Sequence, residues 1–145
     1  MSISKETFDA LMALEKRFSD DKELSLDNNW TRDIESISTK DKFQLDYRHS
    51  KIEIRKYSFN HRTRVSVVLL RYCAQKRHTN PDGKVFDGPH LHLFCEGYDD
   101  KIAFSVEDVL DIDPLSAAKE EILEKLLEYC HIAKNKIQTT MELEI

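Results

Sequence analysis

From Lys42 onward the chain changes period, and that change restricts its fold more than any other feature. Phe43, Leu45 and Tyr47 alternate with Gln44, Asp46 and Arg48, and Ile52 and Ile54 alternate with Lys51, Glu53 and Arg55. Apolar residues at every second position mark strands that bury one face. The short Arg48-His49-Ser50 connection predicts a β-hairpin. Parity reverses at Lys56, since Tyr57 and Phe59 fall on the opposite set, and a bulge there is the expected cause. Asn60-His61-Arg62 reads as a turn, and Thr63 to Cys73 as a third strand. Its Val65-Ser-Val-Val-Leu-Leu core is apolar on both faces, as in a central strand covered on two sides.

Glycine and proline then punctuate the rest. The chain has only three of each, and five of these six lie between Pro81 and Gly97. Residues 75–88 read as a loop around Asn80-Pro-Asp-Gly, where proline sets φ and glycine accepts a positive one. Pro89–Cys95 and Lys101–Val106 read as the fourth and fifth strands. Residues 4–18 predict a helix capped by Ser4, with Phe8, Leu11, Met12 and Phe18 near one face. Residues 114–137 predict another, with Asp113 as cap and Pro114 in the first turn. The polar stretch 20–41 is anchored by Trp30, Ile34 and Ile37 and predicts an excursion with a short helical turn at 31–37. The expected architecture is one α+β domain over 1–145. A mainly antiparallel five-stranded meander occupies 42–106, flanked by the helices at 4–18 and 114–137.

Length and composition agree with a single globular domain. The chain has 145 residues, of which 40% are hydrophobic and 34% charged. No segment approaches the ~20 apolar residues of a spanning helix, and no signal-peptide pattern opens the chain. Cys73, Cys95 and Cys130 are odd in number and without CxxC spacing, which predicts reduced thiols in a cytoplasmic protein and argues against a thiolate zinc site.

The net charge of −5 conceals a segregation. Residues 48–84 carry 10 basic and 2 acidic side chains, whereas residues 85–128 carry 3 basic and 12 acidic. The basic block suits phosphate backbones or an acidic partner, and the alternative is internal pairing with the acidic block. Tyr47, Tyr57, Phe59 and Tyr72 interleave with these cations. Exposed, they would stack on bases, but their alternation favours burial in the sheet.

The densest chemistry lies in His78-Thr-Asn-Pro-Asp-Gly and Pro89-His-Leu-His-Leu-Phe-Cys-Glu-Gly-Tyr. On a strand, His90 and His92 share a face, with His78 just upstream. Such a pair suits acid/base work on an RNA phosphodiester, with Arg62, Arg64, Arg71, Lys76 and Arg77 as phosphate contacts. A metal would need a third ligand from His78, Asp82 or Glu96, and otherwise the histidines support the loop. Cys73 reads as a structural cysteine at a strand end. No metal or other cofactor is assigned from sequence, and no GxGxxG, P-loop or GxSxG motif occurs.

The runs Leu69-Leu-Arg, His78-Thr-Asn-Pro-Asp-Gly, Pro89-His-Leu-His-Leu-Phe, Glu96-Gly-Tyr, Asp100-Lys-Ile-Ala-Phe and Tyr129-Cys-His-Ile resemble an uncharacterised family of small bacterial and prophage proteins. The resemblance covers about residues 43–132, departing at Cys95, where a basic residue is expected, and at His131, where Asn is expected. It implies no catalytic residues. It implies a mobile-element setting, in which small proteins serve as toxins, antitoxins or inhibitors of host defence. Combined with the basic block and paired histidines, the expectation is an RNA-directed, endoribonuclease-like toxin. The alternatives are a non-enzymatic phage inhibitor bound to a host nuclease complex and a metal-dependent hydrolase. The expected partner is RNA or a host or phage protein.

Overall fold

The computed structural model describes residues 3–53 and 55–138. Its core is an eight-stranded sheet in the order β8-β7-β6-β5-β4-β3-β1-β9. The strands are β1 (Lys16–Phe18), β3 (Trp30–Ser36), β4 (Lys42–His49), β5 (Tyr57–Thr63), β6 (Val68–Thr79), β7 (Val85–Leu93), β8 (Ala103–Phe104) and β9 (Ile132–Ala133). From β3 to β8 they pair sequentially and antiparallel, so the expected meander is present. A separate ladder joins β2 (Leu24–Ser25) to β10 (Ile137–Gln138). The helices are α1 (Lys5–Ala13), α2 (Val106–Leu110) and α3 (Lys119–Tyr129).

The sheet has eight strands, not five, because several short or polar segments pair at its edges. The first helix stops at Ala13, since Leu14 is already extended and Lys16 and Phe18 point inward while Arg17 is exposed. The 31–37 segment is strand, not helical turn. Its alternation is largely polar, with only Ile34 and Ser36 buried, and pairing with β4 fixes it. The C-terminal helix is confined to 119–129. Asp113 closes a turn by accepting from the Ser116 and Ala117 amides, and Glu121 Oε1 accepts from the Ala118 amide to start α3. His131 then adopts φ 58°, and Ile132–Ala133 leaves the helix to pair in parallel with β1. The fifth expected strand shortens to Ala103–Phe104 because Val106 begins α2.

Within the meander, the connections fall elsewhere than expected. Among the described residues no strand lies between His49 and Tyr57, so the expected hairpin at 48–54 is not seen: β4 runs through His49, Ile52 is 98% exposed and Ile54 lies outside the described residues. The parity reversal at Lys56 therefore reflects a loop, closed by Ser50 amide donation to Lys56 O at 2.9 Å, and no bulge. Residues 60–62 belong to β5, and the real turn spans 64–67. There Ser66 takes φ 81° and Thr63 Oγ1 accepts from the Val67 amide. The 75–88 loop is instead the two arms of a β6–β7 hairpin, turned at the expected Asn80-Pro-Asp-Gly. Gly83 has φ 92° and donates to Asn80 O.

One sheet face buries Phe43, Leu45, Tyr47, Phe59, Tyr72 and Leu91, with Ile122, Leu123, Leu126 and Leu127 of α3 in the same cluster. Tyr47, Phe59 and Tyr72 pack ring against ring across three strands, so they are core as the alternation favours. Two polar groups are embedded in this core. Lys16 is 0% exposed, and its Nζ donates to Met12 O, Leu14 O and Cys130 O at 3.1, 2.9 and 2.9 Å. Neither α1 nor α3 has a basic residue in its last turn, so one ammonium serves the carbonyl ends of both. Burial lowers its pKa to about 8. Replacing it as Lys16→Met leaves three carbonyls without their donor. Urea unfolding at neutral pH is expected to show a loss of about 3 kcal/mol, and a change under 0.5 kcal/mol, the range of ordinary surface substitutions, would refute this role.

His61 is the second embedded group, 0% exposed and against Phe43, with neither ring nitrogen hydrogen-bonded. Burial, reinforced by the Lys16 charge, lowers its pKa from 6.5 to about 3. The unfolded chain therefore takes up a proton near pH 6.5 that the folded chain refuses until about 3. Its contribution is complete above the first value and is lost as pH falls toward the second. In His61→Phe, the denaturation midpoint should fall less steeply across that window than in the wild type. Parallel profiles would contradict the assignment.

Candidate functional site

The opposite sheet face carries the chemistry. Ladder register places Thr31, Asp46, Asn60, Arg71 and His92 in one cross-strand row. The next row is Arg48, Ser58, Cys73 and His90. In the first row Asp46 accepts from Thr31 Oγ1, Asn60 Nδ2 and Arg62 Nε, the last at 2.8 Å. Burial works against its charge, but these hydrogen bonds hold the carboxyl below its usual range.

The far end of both rows is a histidine cluster. His78 lies 4.6 Å from His92 and 5.9 Å from His90 between ring centroids, and the latter two are 5.0 Å apart. His90 and His92 are 1% and 2% exposed. Burial lowers the pKa of both, that of His92 to about 3, with Arg71 and the neighbouring rings adding to the effect. Both imidazoles are neutral at neutral pH. His90 Nδ1 is 2.9 Å from Gly88 O, and His78 Nε2 is 2.8 Å from Lys101 O. His90 Nε2 and His92 Nδ1 are buried without partners. Cys73 Sγ and one nitrogen from each of these rings lie within 4.8 Å of one another. Burial raises the Cys73 pKa against the pull of Arg71 and Lys76, so the thiol stays protonated.

Local backbone chemistry builds this cluster. In the hairpin Lys76 pairs with Gly88 but Cys73 pairs with His90, so Ala74 and Gln75 together oppose Pro89. Proline has no N–H to give the ladder, and a bulge opposite it removes the demand. The extra residue turns Cys73 onto the histidine face. Asn80 then pins the hairpin tip, its Nδ2 donating to Ala103 O at 3.0 Å and its Oδ1 accepting from Ala103 N at 2.8 Å.

The expected phosphate contacts do not converge. Arg62 is held by Asp46, and Arg64 sits at the β5–β6 turn beside Lys42. Arg77 is exposed on the hairpin arm, opposite Asp87. Arg71 and Lys76 do meet, in a cleft of about 460 Å³ whose walls include Arg48, His49, Lys56 and Cys73. Of the third metal ligands considered from sequence, His78 packs against both rings with its Nε2 on Lys101 O, Asp82 lies in the exposed turn and Glu96 Oε1 accepts from the Lys5 amide. Cys73 stands in their place. Its signal was present: a hairpin turned at Asn80-Pro-Asp-Gly brings residue 73 near residue 90, and only the Pro89 bulge settles which neighbour faces the rings. In Asn80→Ala the tip loses both Ala103 bonds. We expect about 2 kcal/mol of destabilisation, with faster hydrogen exchange at the Ala103 amide; unchanged exchange there would argue against the clip.

Residues 3–132 match the model of DUF6978, a family of unknown function, and the chain belongs to that family. No curated protein and no solved structure matches the chain.

Proposed function

We propose that this member of DUF6978 is an RNA-binding protein that holds a backbone phosphate in the cleft between β4, β5 and β6. The observation that carries this reading is the cleft lining: Arg48, Lys56, Arg71 and Lys76 with no carboxylate among them. Such a concave surface focuses a positive potential on a phosphodiester. His49, Ser58 and Gln75 line it too and offer groups for a 2′-hydroxyl.

The charge segregation supports the reading. Internal neutralisation of the basic block by the acidic one would leave little potential. Among the described residues, one ion pair joins the two blocks, Arg71 with Asp100 at 3.1 Å. Lys56 and Lys76 make no ion pair among the described residues, and no helix there is long and apolar enough to cross a membrane. Acid/base cleavage by His90 and His92 forms no part of this proposal, because both rings are buried and neither lines the cleft.

Fluorescence anisotropy with labelled single-stranded RNA, and with DNA of the same sequence, tests it. Lys56→Gln/Lys76→Gln is expected to weaken RNA binding about ten-fold at low salt. If both lysines meet phosphates, the slope of log K against log salt should drop by about 1.4. Absence of wild-type binding at low salt, or equal binding by the double variant, would reject the cleft as an RNA site.

A further inference from the structure

We propose that Cys73, His90 and His92 form a site for a divalent transition metal of borderline softness, with zinc the best match. This goes beyond RNA binding and does not rest on it. One thiol and two imidazoles are the donor set such ions prefer, and an all-oxygen ion such as magnesium finds no ligand there.

Three observations converge. The donor atoms come within 4.8 Å of one another. Tetrahedral zinc at ~2.1 Å from nitrogen and ~2.3 Å from sulfur needs separations of about 3.5 Å, so the donors close by about 1 Å on binding. All three residues are buried, and the free nitrogens, His90 Nε2 and His92 Nδ1, have no hydrogen-bond partner. Leaving such atoms bare in the interior is costly unless something occupies the space between them. The opposite side of the His90 ring is pinned, with Nδ1 donating to Gly88 O. This is how ligand histidines are usually arranged: one nitrogen donates to a carbonyl, which fixes the tautomer and aims the other lone pair at the ion.

Binding is an exchange of a proton for the metal. The Cys73 S–H bond breaks, sulfur bonds to the ion with the electron pair it retains, and the proton leaves to solvent. Both imidazoles coordinate through lone pairs and release nothing. Cys73 is the part of the cluster that reaches the basic cleft, so ion and proton share that route. Asp100 pairs with Arg71 and offsets the nearby cation that would oppose the ion.

Cobalt(II) is the probe. Chelator-treated protein titrated with cobalt should take up one equivalent, giving tetrahedral ligand-field bands and a thiolate-to-cobalt charge-transfer band, both abolished by zinc. Cys73→Ser should lose the charge-transfer band and bind at least about 100-fold more weakly. Zinc should also protect Cys73 from alkylation, followed by mass spectrometry of its peptide. The proposal is overturned if the wild type binds no stoichiometric cobalt, if its spectrum lacks the thiolate band, or if Cys73→Ser binds equally well. Should that variant fail to fold, the wild-type spectrum and the alkylation pattern decide alone.

Discussion

The buried ammonium of Lys16 is the contact on which the rest of the fold depends. Two helices at opposite ends of the sequence finish against the same sheet edge, and each finishes with carbonyls that lack a donor. Lys16 answers both from β1, binding Met12 and Leu14 at the end of α1 and Cys130 at the end of α3. Its own strand lies between β3 and β9, so the side chain that closes the helices also sets where the sheet may continue. The arrangement constrains its neighbours: with a cation this close, His61 is accommodated as a neutral ring against Phe43.

The same economy explains how much of the fold can be read from the sequence. Alternation reveals β4 and the order of the meander, because there one face is lined by Phe43, Leu45, Tyr47 and Phe59 at every second position. β1 and β3 escaped because their inward positions include Lys16 and Ser36, which no hydropathy pattern assigns to a core. The apolar period predicts a C-terminal helix longer than the observed Lys119–Tyr129 because Ala133 continues it. The left-handed His131 that ends it leaves no signal in residue type, since the position is one where glycine or asparagine would be expected. Turn chemistry was legible at Asn80-Pro-Asp-Gly and misread at 60–62, where Asn and His face a partner strand.

The candidate site shows the limit more sharply. His90 and His92 were visible because two positions on one strand fix a shared face without reference to anything else. Cys73 belongs to another strand, and its place depends on a bulge of one residue, which inverts every side chain beyond it. Arg62 looked available from sequence and is in fact committed to Asp46. Arg48 and Lys56 are not among the phosphate contacts expected from sequence, yet both wall the cleft, Arg48 from β4 and Lys56 from just before β5.

Arg71 stands between the two proposed sites. It lines the cleft, it opposes His92 in the ladder, and its guanidinium pairs with Asp100. Its charge helps keep the imidazoles neutral, which preserves their lone pairs, but it also opposes a cation among them. An anion in the cleft screens that charge on one side as Asp100 does on the other. Under the two proposals, phosphate in the cleft and metal in the cluster therefore favour one another through a shared cationic side chain. Such coupling is reciprocal by necessity, so each ligand strengthens the other by the same factor. Cys73 tightens the relation further, because its thiol lies on the cleft wall, where Arg71 and Lys76 work against the burial that keeps it protonated.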